Sequence, residues 1–308
     1  MKQFRRLEVP ERGGLYERAQ RSLLRSFWLS REECERLERE RPQLVVSEER
    51  GIVVGEPSGG QLVVHYAFPD ANAMRQHFPE MLERLLQGAD RAAFSEGVVV
   101  RFVDHPNRPY VEPVLLGCAF ELRREWMEML LAELPEGDLP SDELLEGIVL
   151  RPIAADDYQG VAALDNAAFG ERDHIVAHGG VAQMVEEAAE FRVAEQRRDG
   201  HLVGYLHLLV QPERSGEVAH VVVHPDFQRG DLGEAMMRWA LAWFRGRDLR
   251  RAALEVEVNN GPAIALYRKL GFVPRTTGLT YRRPIDEAEV RKILESQRGT
   301  YIKFGQWR

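Results

Sequence analysis

The chain has 308 residues, of which 44% are hydrophobic and 29% charged, and its formal net charge is −8. This length exceeds what one core usually organises, so we expect two domains of a globular protein. The negative charge argues against nucleic acid as a partner, because phosphate contacts need a basic face. The sequence lacks both an apolar run long enough for a membrane span and a signal peptide, so we expect a cytoplasmic protein without a membrane partner.

The first half of the chain predicts a strand, a helix, a strand and a short helix in that order. Residues 62–68 have the apolar, β-branched character of a strand, and Pro69 follows as a turn. Residues 71–86 repeat apolar side chains at helical spacing, and residues 98–103 read as a second strand. A short segment that ends at Gly117 completes this half.

A polar segment with proline and glycine, residues 135–143, is the predicted linker between two domains. We therefore predict one domain over residues 1–134 and a second over residues 144–285. Residues 286–308 are expected to form a C-terminal helix and tail.

The second half repeats the order of the first. A strand over residues 218–223 ends at Pro225, and an amphipathic helix follows from Leu232. A strand over residues 253–258 then leads to a short helix that Gly271 ends. This internal repeat predicts duplicated domains rather than a solenoid.

The turn before the long helix of the second half predicts an anion site. Backbone N–H groups of residues 229–234 point out of the first helical turn, where the helix dipole adds about half a positive charge. Arg229 adds a full charge nearby. The corresponding residues of the first half, 72–77, contain no glycine that would let a diphosphate approach the backbone, so that half is expected to have lost the site.

Two motifs in the second half resemble the signatures of the GNAT superfamily of N-acyltransferases. In the acyl-CoA loop of that family, Gln or Arg is followed by x-x-Gly-x-Gly before a helix, and Gln228 and Gly233 match its ends. The second signature, Asn-x-x-Ala-x-x-Leu-Tyr-x-Lys-x-Gly-Phe, is matched by Asn260, Ala263, Leu266, Tyr267, Gly271 and Phe272. The agreement of both spacings and of the element order makes the resemblance specific.

The resemblance covers roughly residues 147–285. It implies an α/β fold (α+β, with a mixed sheet). It also implies that the chain holds two tandem acyl-CoA N-acyltransferase (GNAT-like) domains, of which the first is degenerate. It also implies acetyl-CoA as cosubstrate and a small primary amine as acceptor. The positions that it assigns to acetyl-CoA binding are Val221, Val222, Val223, Gln228, Arg229, Gly230, Asp231, Leu232, Gly233, Glu234, Asn260 and Ala263. The choice of Asn260 would also be explained by a helix N-cap.

Asp231 departs from the family pattern, because it stands where the first glycine of the loop is expected and the glycine is displaced to Gly230. A carboxylate that faced the diphosphate at about 5 Å would weaken binding by about 1–3 kcal/mol. Alternatively its side chain faces solvent, or Gly230 supplies the backbone geometry. A non-catalytic GNAT-shaped binding or assembly module with an impaired loop is therefore the alternative to an enzyme.

Two side chains are candidates for acid–base chemistry. Tyr267 matches the tyrosine that protonates the leaving thiolate in the family. The alternative is that it is a tyrosine of the core with a structural role. Glu217 stands at the start of the strand that leads into the loop, where several family members place a carboxylate or histidine that activates the amine; a solvated hairpin charge is the alternative. By strand alternation we expect His220 and His224 on the opposite face from Glu217.

His174 and His178, with Asp173 beside them, suggest a metal site. They lack a fourth partner at any telling spacing, so we predict no metal there, and these histidines can instead contact the acceptor. Cys34 and Cys118 are far apart in sequence and are expected to be reduced.

The resemblance does not identify the acceptor. Tandem members such as mycothiol synthase and aminoacyl-transferring relatives leave a larger thiol-conjugate or peptide-like amine open beside a small amine. We expect a monomer or a homodimer.

Overall fold

The computed structural model describes residues 14–26, 29–58, 60–90, 94, 96–103, 107–137, 141–169 and 178–304. Contacts within the chain define two compact units. The first unit comprises residues 1–125 and 277–308, and the second comprises residues 126–276. No helix among the described residues is both long and apolar enough to cross a bilayer.

The first half of the chain alternates helices with strands. Its elements are α1 (Leu15–Gln20), β1 (Leu24–Arg25), α2 (Arg31–Glu40), β2 (Val45–Glu48), β3 (Gly51–Ser58), β4 (Gln61–Phe68), α3 (Ala71–Gly88), β5 (Gly97–Val103), α4 (Arg108–Gly117) and β6 (Glu121–Leu131). In the first unit β2, β3, β4 and β5 are neighbours in that order, and β4 and β5 run parallel with α3 as their connection. The predicted strand–helix–strand order of this half is confirmed.

The helix α3 begins at a strong cap. Asp70 precedes it, and its Oδ1 accepts hydrogen bonds from the N–H groups of Asn72 and Ala73 at 2.8 and 2.9 Å. Such a cap satisfies donors that the helix itself leaves unpaired. Two of the N–H donors at the N-terminal end of α3 are therefore occupied by its own chain.

Both cysteines are buried in the first unit and form no disulfide. Burial raises the pKa of Cys34 to about 11 and that of Cys118 to about 12. Both thiols stay protonated at neutral pH, and a protonated thiol is a poor nucleophile.

The second half of the chain contains the elements that carry the two motifs. They are β7 (Glu143–Leu145), β8 (Ile148–Pro152), α5 (Tyr158–Phe169), α6 (His178–Glu187), β9 (Glu190–Gln196), β10 (Leu202–Gln211), β11 (Ser215–Val223), α7 (Leu232–Gly246), β12 (Arg251–Glu257), α8 (Gly261–Lys269), β13 (Val273–Arg283) and α9 (Glu287–Phe304). In the second unit the strand order is β6-β12-β11-β10-β9-β8-β7. Neighbouring strands of this unit are antiparallel, except that β11 and β12 are parallel and are connected by α7.

Two apolar clusters cover the two faces of this sheet. On the face that we call the α7 face, strand residues such as Leu206, Val218 and Leu254 pack with α7 and α8. On the α5 face, Tyr205 and Val222 pack with α5 and α6. The alternation of strand side chains between these faces decides where each polar residue points.

The strands β11 and β12 separate halfway along their length. They pair from Ser215 with Arg251 to Val218 with Leu254, and no pairing follows. At the same point the register of β11 against β10 shifts, because Val218 pairs with Leu208 whereas His220 pairs with His207. Ala219 is thus the extra residue of a β-bulge, a feature that bends a strand and increases its twist. From Ala219 onward no strand in the described ranges pairs with this edge of β11, which we call its open edge.

The units differ from the predicted domains 1–134 and 144–285, because β6 and β13 each cross a unit boundary. Residues 126–131 of β6 pair with β12 in the second unit. Residues 278–283 of β13 pair with β5 in the first unit. The described part of the predicted linker 135–143 lies in the second unit, and the predicted C-terminal helix is α9, in the first unit.

Candidate active site

The loop between β11 and α7 takes its shape from two residues. The Gln228 side chain donates from Nε2 to the carbonyl oxygen of Val223 at 3.0 Å and ties the loop to the end of β11. Arg229 has a φ of 63°, a left-handed conformation that is costly for a residue with a side chain. The strained residue of this loop is therefore Arg229.

Asp231 needs no glycine conformation. It is the N-cap of α7 with φ −83° and ψ −6°, a conformation with negative φ that residues with a side chain can adopt. Gly230 does not have a positive φ either, so it does not replace the missing glycine in that way. The Asp231 side chain is exposed and caps no N–H group of α7.

The glycines of the loop are not required by packing within the protein. A Cβ atom on Gly233 would lie 3.7 Å from Leu266 Cδ2 and from Val223 Cγ2, which is ordinary contact. A Cβ atom on Gly230 would meet only the carbonyl oxygen of Phe227, also at 3.7 Å. The start of α7, the end of β11 and α8 converge beside Gly233.

The first turn of α7 also carries an ion-paired carboxylate. Glu234 accepts from Arg238 Nη2 at 2.8 Å and pairs with Lys269 of α8. The Lys269 contact, followed by Arg238, lowers the pKa of Glu234. The carboxylate therefore links α7 to α8, and its backbone N–H belongs to the row that begins at Leu232.

Asn260 caps α8. Its Oδ1 accepts from the N–H of Ala263 at 3.2 Å, and the side chain is otherwise exposed. At the other end Gly271, with φ 92°, lets the N–H of Phe272 reach the carbonyl oxygen of Tyr267 at 3.0 Å. The predicted limits of this helix are confirmed.

The open edge of β11 includes the three predicted valines. Val221, Val222 and Val223 pair with Leu206, Tyr205 and Gly204 of β10 on one side. Beyond Val218, no described strand pairs with their other side. Backbone groups on such an edge can bind an extended ligand in the manner of an added strand.

Tyr267 lies on α8 and packs in the apolar cluster of the α7 face, with its ring 6.1 Å from that of Phe272. Only 7% of the residue is exposed, and burial raises the pKa of Tyr267 to about 12. The described residues offer its hydroxyl no hydrogen bond. Within the part of the chain that the structure describes, this protonated phenol therefore has no hydrogen-bond partner.

Glu217 lies on the α5 face of β11, because its neighbours Gly216 and Val218 both face α7. Its Oε2 accepts from Gln211 Nε2 at 2.7 Å. It is half-buried and lies directly before the point where β11 and β12 separate.

The position predicted for His220 is wrong. Simple alternation places it opposite Glu217, but the bulge at Ala219 returns it to the α5 face. There its ring stacks on that of His207, with centroids 5.4 Å and the two Nδ1 atoms 3.1 Å apart. Sequence reasoning missed this pair, because in an unbulged hairpin His207 would oppose Ala219.

His224 is a turn residue, as predicted. Its Nδ1 accepts from the N–H of Asp226 at 3.2 Å, at the start of the 3₁₀ turn Pro225–Phe227. Asp173 and His174 of the considered metal site lie outside the described residues, as does the side chain of His178. Among the residues that are described, no cluster of three or more His, Cys, Asp or Glu side chains could hold a metal ion.

Comparisons with known proteins identify the family. The model of the acetyltransferase (GNAT) family matches residues 158–272. A mycothiol acetyltransferase of Saccharomonospora viridis is 31% identical over 236 residues, which are 72% of this chain and 72% of that protein. Another from Streptomyces coelicolor is 32% identical over 238 residues, covering 74% of this chain and 72% of that protein.

A solved tandem GNAT protein from the clavulanic acid biosynthesis pathway shares the fold. It has a TM-score of 0.55 at 16% identity and covers 82% of this chain and 88% of its own. The predicted enzyme class is confirmed, in preference to the alternative of a non-catalytic binding module. The predicted mixed α/β fold and the tandem type are confirmed as well. The chain belongs to the GNAT family and is an acetyltransferase whose cosubstrate is acetyl-CoA.

Proposed function

We propose that the second unit transfers the acetyl group of acetyl-CoA to the primary amine of a small, mycothiol-related acceptor. One observation carries the assignment to this unit. The N-terminus of α3 in the first unit is capped by Asp70, whereas the N-terminus of α7 is left uncapped by Asp231. Uncapped N–H groups at the positive end of a helix are suited to a diphosphate.

The remaining contacts with acetyl-CoA follow from the same geometry. The N–H groups from Arg229 to Glu234 hold the diphosphate, with Gly230 and Gly233 leaving room for it. The open edge of β11 at residues 221–223 orients the arm that carries the thioester. Asn260 and Ala263, at the start of α8, border the arm.

The chemistry uses one base and one acid. Glu217 takes a proton from the attacking nitrogen, and the Tyr267 hydroxyl gives its proton to the departing thiolate of CoA. Tyr267 lies on the α7 face of the sheet and Glu217 on the α5 face. The gap between β11 and β12 lies beside the elements of both faces. A phenol with a pKa of about 12 is protonated at neutral pH, as an acid must be.

The acceptor class rests on the relatives. Those described above are named mycothiol acetyltransferases, and this chain aligns with them over more than two thirds of its length. A small mycothiol-related amine is therefore the first acceptor to test. The first unit takes the role of a degenerate copy that binds no acetyl-CoA.

The substitution Gly233→Ala tests the cofactor site. The added methyl group meets only ordinary contacts, and alanine favours a helix over glycine by up to about 1 kcal/mol, so the fold is expected to be at least as stable. The same methyl stands where the diphosphate must approach, so acetyl-CoA affinity, measured by isothermal titration calorimetry, is expected to fall at least about tenfold.

Gly246→Ala at the far end of α7 is the matched control, because a Cβ atom there has no neighbour within 4 Å. It should leave acetyl-CoA affinity unchanged. Equal affinity of Gly233→Ala and the wild type would refute the site. Turnover on a panel of amines is then followed by mass spectrometry. A thiol reagent that detects released CoA is unsuitable, because it would also react with a thiol-bearing acceptor.

A further inference from the structure

A buried polar row lies on the α5 face of the second unit, in an otherwise apolar cluster. It contains the Tyr205 hydroxyl, which donates to Asp165 of α5, and the stacked imidazoles of His207 and His220. The ring of Tyr205 is 6.2 Å from that of His220. Burying such groups costs free energy unless they are paired or serve the chemistry.

The two histidines differ in their surroundings. His207 is 3% exposed, and its Nε2 is buried without a hydrogen-bond partner. Burial lowers the pKa of His207, although Glu187 of α6 acts in the opposite direction, so its imidazole is neutral at pH 7. His220 is half-buried and lies where β11 leaves β12. Of the two, His220 is the one that a ligand in the gap can reach.

The reaction demands two proton acceptors at the nitrogen. An alkyl amine has a pKa near that of lysine, about 10, so at neutral pH the acceptor arrives as an ammonium ion. One proton must leave before the lone pair can attack, and a second must leave the nitrogen of the tetrahedral intermediate. Glu217 accounts for one of these two protons.

We propose that His220 is the second base, which takes the first proton from the acceptor ammonium at its Nε2 while His207 positions it. This inference rests on the proposed function. In this scheme His220 Nδ1–H donates to Nδ1 of His207, so the protonated form of His220 gains a charge-assisted hydrogen bond. The buried His207 stays neutral and keeps the charge on His220.

The protons balance over the reaction. The ammonium gives one proton to His220, its nitrogen bonds to the thioester carbon, and the intermediate gives its second proton to Glu217. The carbon–sulfur bond breaks, and Tyr267 protonates the thiolate. Glu217 returns its proton through solvent to the Tyr267 phenolate, and His220 releases its proton to water, so that one proton is produced for each amide formed.

The charges that face His220 suit a cation. Asp165 on α5 and Glu217 on β11 share its face, and Glu255 of β12 is on that face across the gap by alternation with Leu254 and Val256. Glu187 of α6 acts on the neighbouring His207. These carboxylates attract the ammonium form of the acceptor, which is the form that needs a second base.

His220→Asn is the main test. Asparagine carries a side-chain N–H near the position of Nδ1, so it can keep the bond to His207, but it has no equivalent of Nε2. At pH 7 kcat/KM for an acceptor amine is expected to fall about a hundredfold, with acetyl-CoA affinity within about twofold of the wild type. His77→Asn, on α3 of the first unit, is the control and should match the wild type.

The pH profile separates this role from a structural one. Wild-type kcat/KM should level off once His220 is neutral, whereas kcat/KM of His220→Asn should keep rising toward the amine's own pKa, about tenfold per pH unit. The variant's deficit should also be smaller for an acceptor with an α-amino-like pKa of about 8 than for one near 10. Equal profiles of variant and wild type would overturn the proposal.

His207→Phe tests the positioning role. It removes a buried nitrogen without a partner and keeps a ring against Phe191, whose centroid is 5.4 Å from that of His207, so the fold should be retained. Loss of the hydrogen bond between His220 and His207 weakens His220 as a base. The acid limb of the pH profile of kcat/KM should therefore move to lower pH. An unmoved limb would remove His207 from the mechanism.

The two proposals fail differently. If the wild type acetylates amines and His220→Asn equals it at every pH, the second base is wrong and the proposed function stands. If the wild type acetylates no amine, the proposed function is wrong and the second base is lost with it; unchanged acetyl-CoA binding by Gly233→Ala would refute the proposed diphosphate site alone.

Discussion

Asp70 and Asp231 each immediately precede a long helix, yet only the carboxylate of Asp70 caps one. Its Oδ1 lies 2.8 and 2.9 Å from the backbone nitrogens of Asn72 and Ala73 at the start of α3, while Asp231 leaves the first turn of α7 uncapped. A side-chain cap and a bound diphosphate compete for the same donors. The same residue type therefore occupies two N–H donors at the start of one helix and leaves the first turn of the other without a side-chain cap.

Removal of the Asp231 charge should tighten acetyl-CoA binding. The side chain is exposed, so its repulsion of a phosphate charge about 5 Å away is about 1 kcal/mol, which corresponds to about a fivefold gain in affinity for Asp231→Asn. Calorimetry at low ionic strength measures it, since salt screens the term. Asp248→Asn, past the far end of α7 where φ is 61°, removes the same charge away from the loop and should change nothing.

Tyr267→Phe should lower kcat about a hundredfold and leave acetyl-CoA affinity unchanged, because the hydroxyl serves only the leaving thiolate. The raised pKa of about 12 keeps the wild-type phenol protonated, so no loss of rate below about pH 11 is expected from its ionisation. Steady-state rates with calorimetric binding check both statements. A variant as active as the wild type would exclude Tyr267 as the acid.

Local motifs carried most of the site prediction. The loop from Gln228 to Gly233 and the helix from Asn260 to Gly271 are set by neighbouring residues, and the structure places both as expected. The sheet face of His220 was predicted wrongly because alternation assumes an unbroken register. No feature of the sequence around Ala219 indicates a bulge. Parity along a strand changes with one extra residue.

The partners of β6 and β13 were missed for a different reason. The predicted domains end at residues 134 and 285, but residues 126–131 of β6 pair with β12 and residues 278–283 of β13 pair with β5. Local sequence predicts that a segment is a strand. The choice between two similar sheet edges depends on contacts far apart in the chain, which no local pattern encodes.

Substitutions of Asn260 separate its two roles. Asn260→Ala removes the acceptor for the Ala263 N–H and should lower the free energy of unfolding by about 1 kcal/mol. Asn260→Asp keeps that acceptor and should preserve stability, but its charge and its lack of an N–H₂ group should raise KM for acetyl-CoA. Thermal unfolding and steady-state kinetics distinguish the two. If Asn260→Asp has normal KM, Asn260 is a cap and nothing more.

The Arg151–Asp157 pair should make the protein sensitive to acid. Arg151 Nη1 and Nη2 donate to the two Asp157 oxygens at 2.7 and 2.9 Å, and Asp157 also accepts from the N–H of Ala154 at 2.7 Å. The Arg151 bond, the largest cause, holds the pKa of Asp157 below its usual value. A depressed carboxyl pKa adds stability above the unfolded pKa of about 4, and this stability is lost as pH falls through the folded pKa.

Asp157→Asn should therefore lower the free energy of unfolding by about 1–3 kcal/mol at pH 7, because the neutral amide has one acceptor oxygen, so Arg151 loses one of its two bonds to this residue and the ion pair, and keeps Glu195 as its other partner. As pH falls from about 4, the unfolded pKa, through the lower folded pKa, the wild type loses this stability, and the two denaturation midpoints should converge. Asp156→Asn, at the exposed neighbouring residue, should follow the wild type throughout. A difference between Asp157→Asn and wild type that is as large at pH 3 as at pH 7 would show that the loss comes from packing rather than charge.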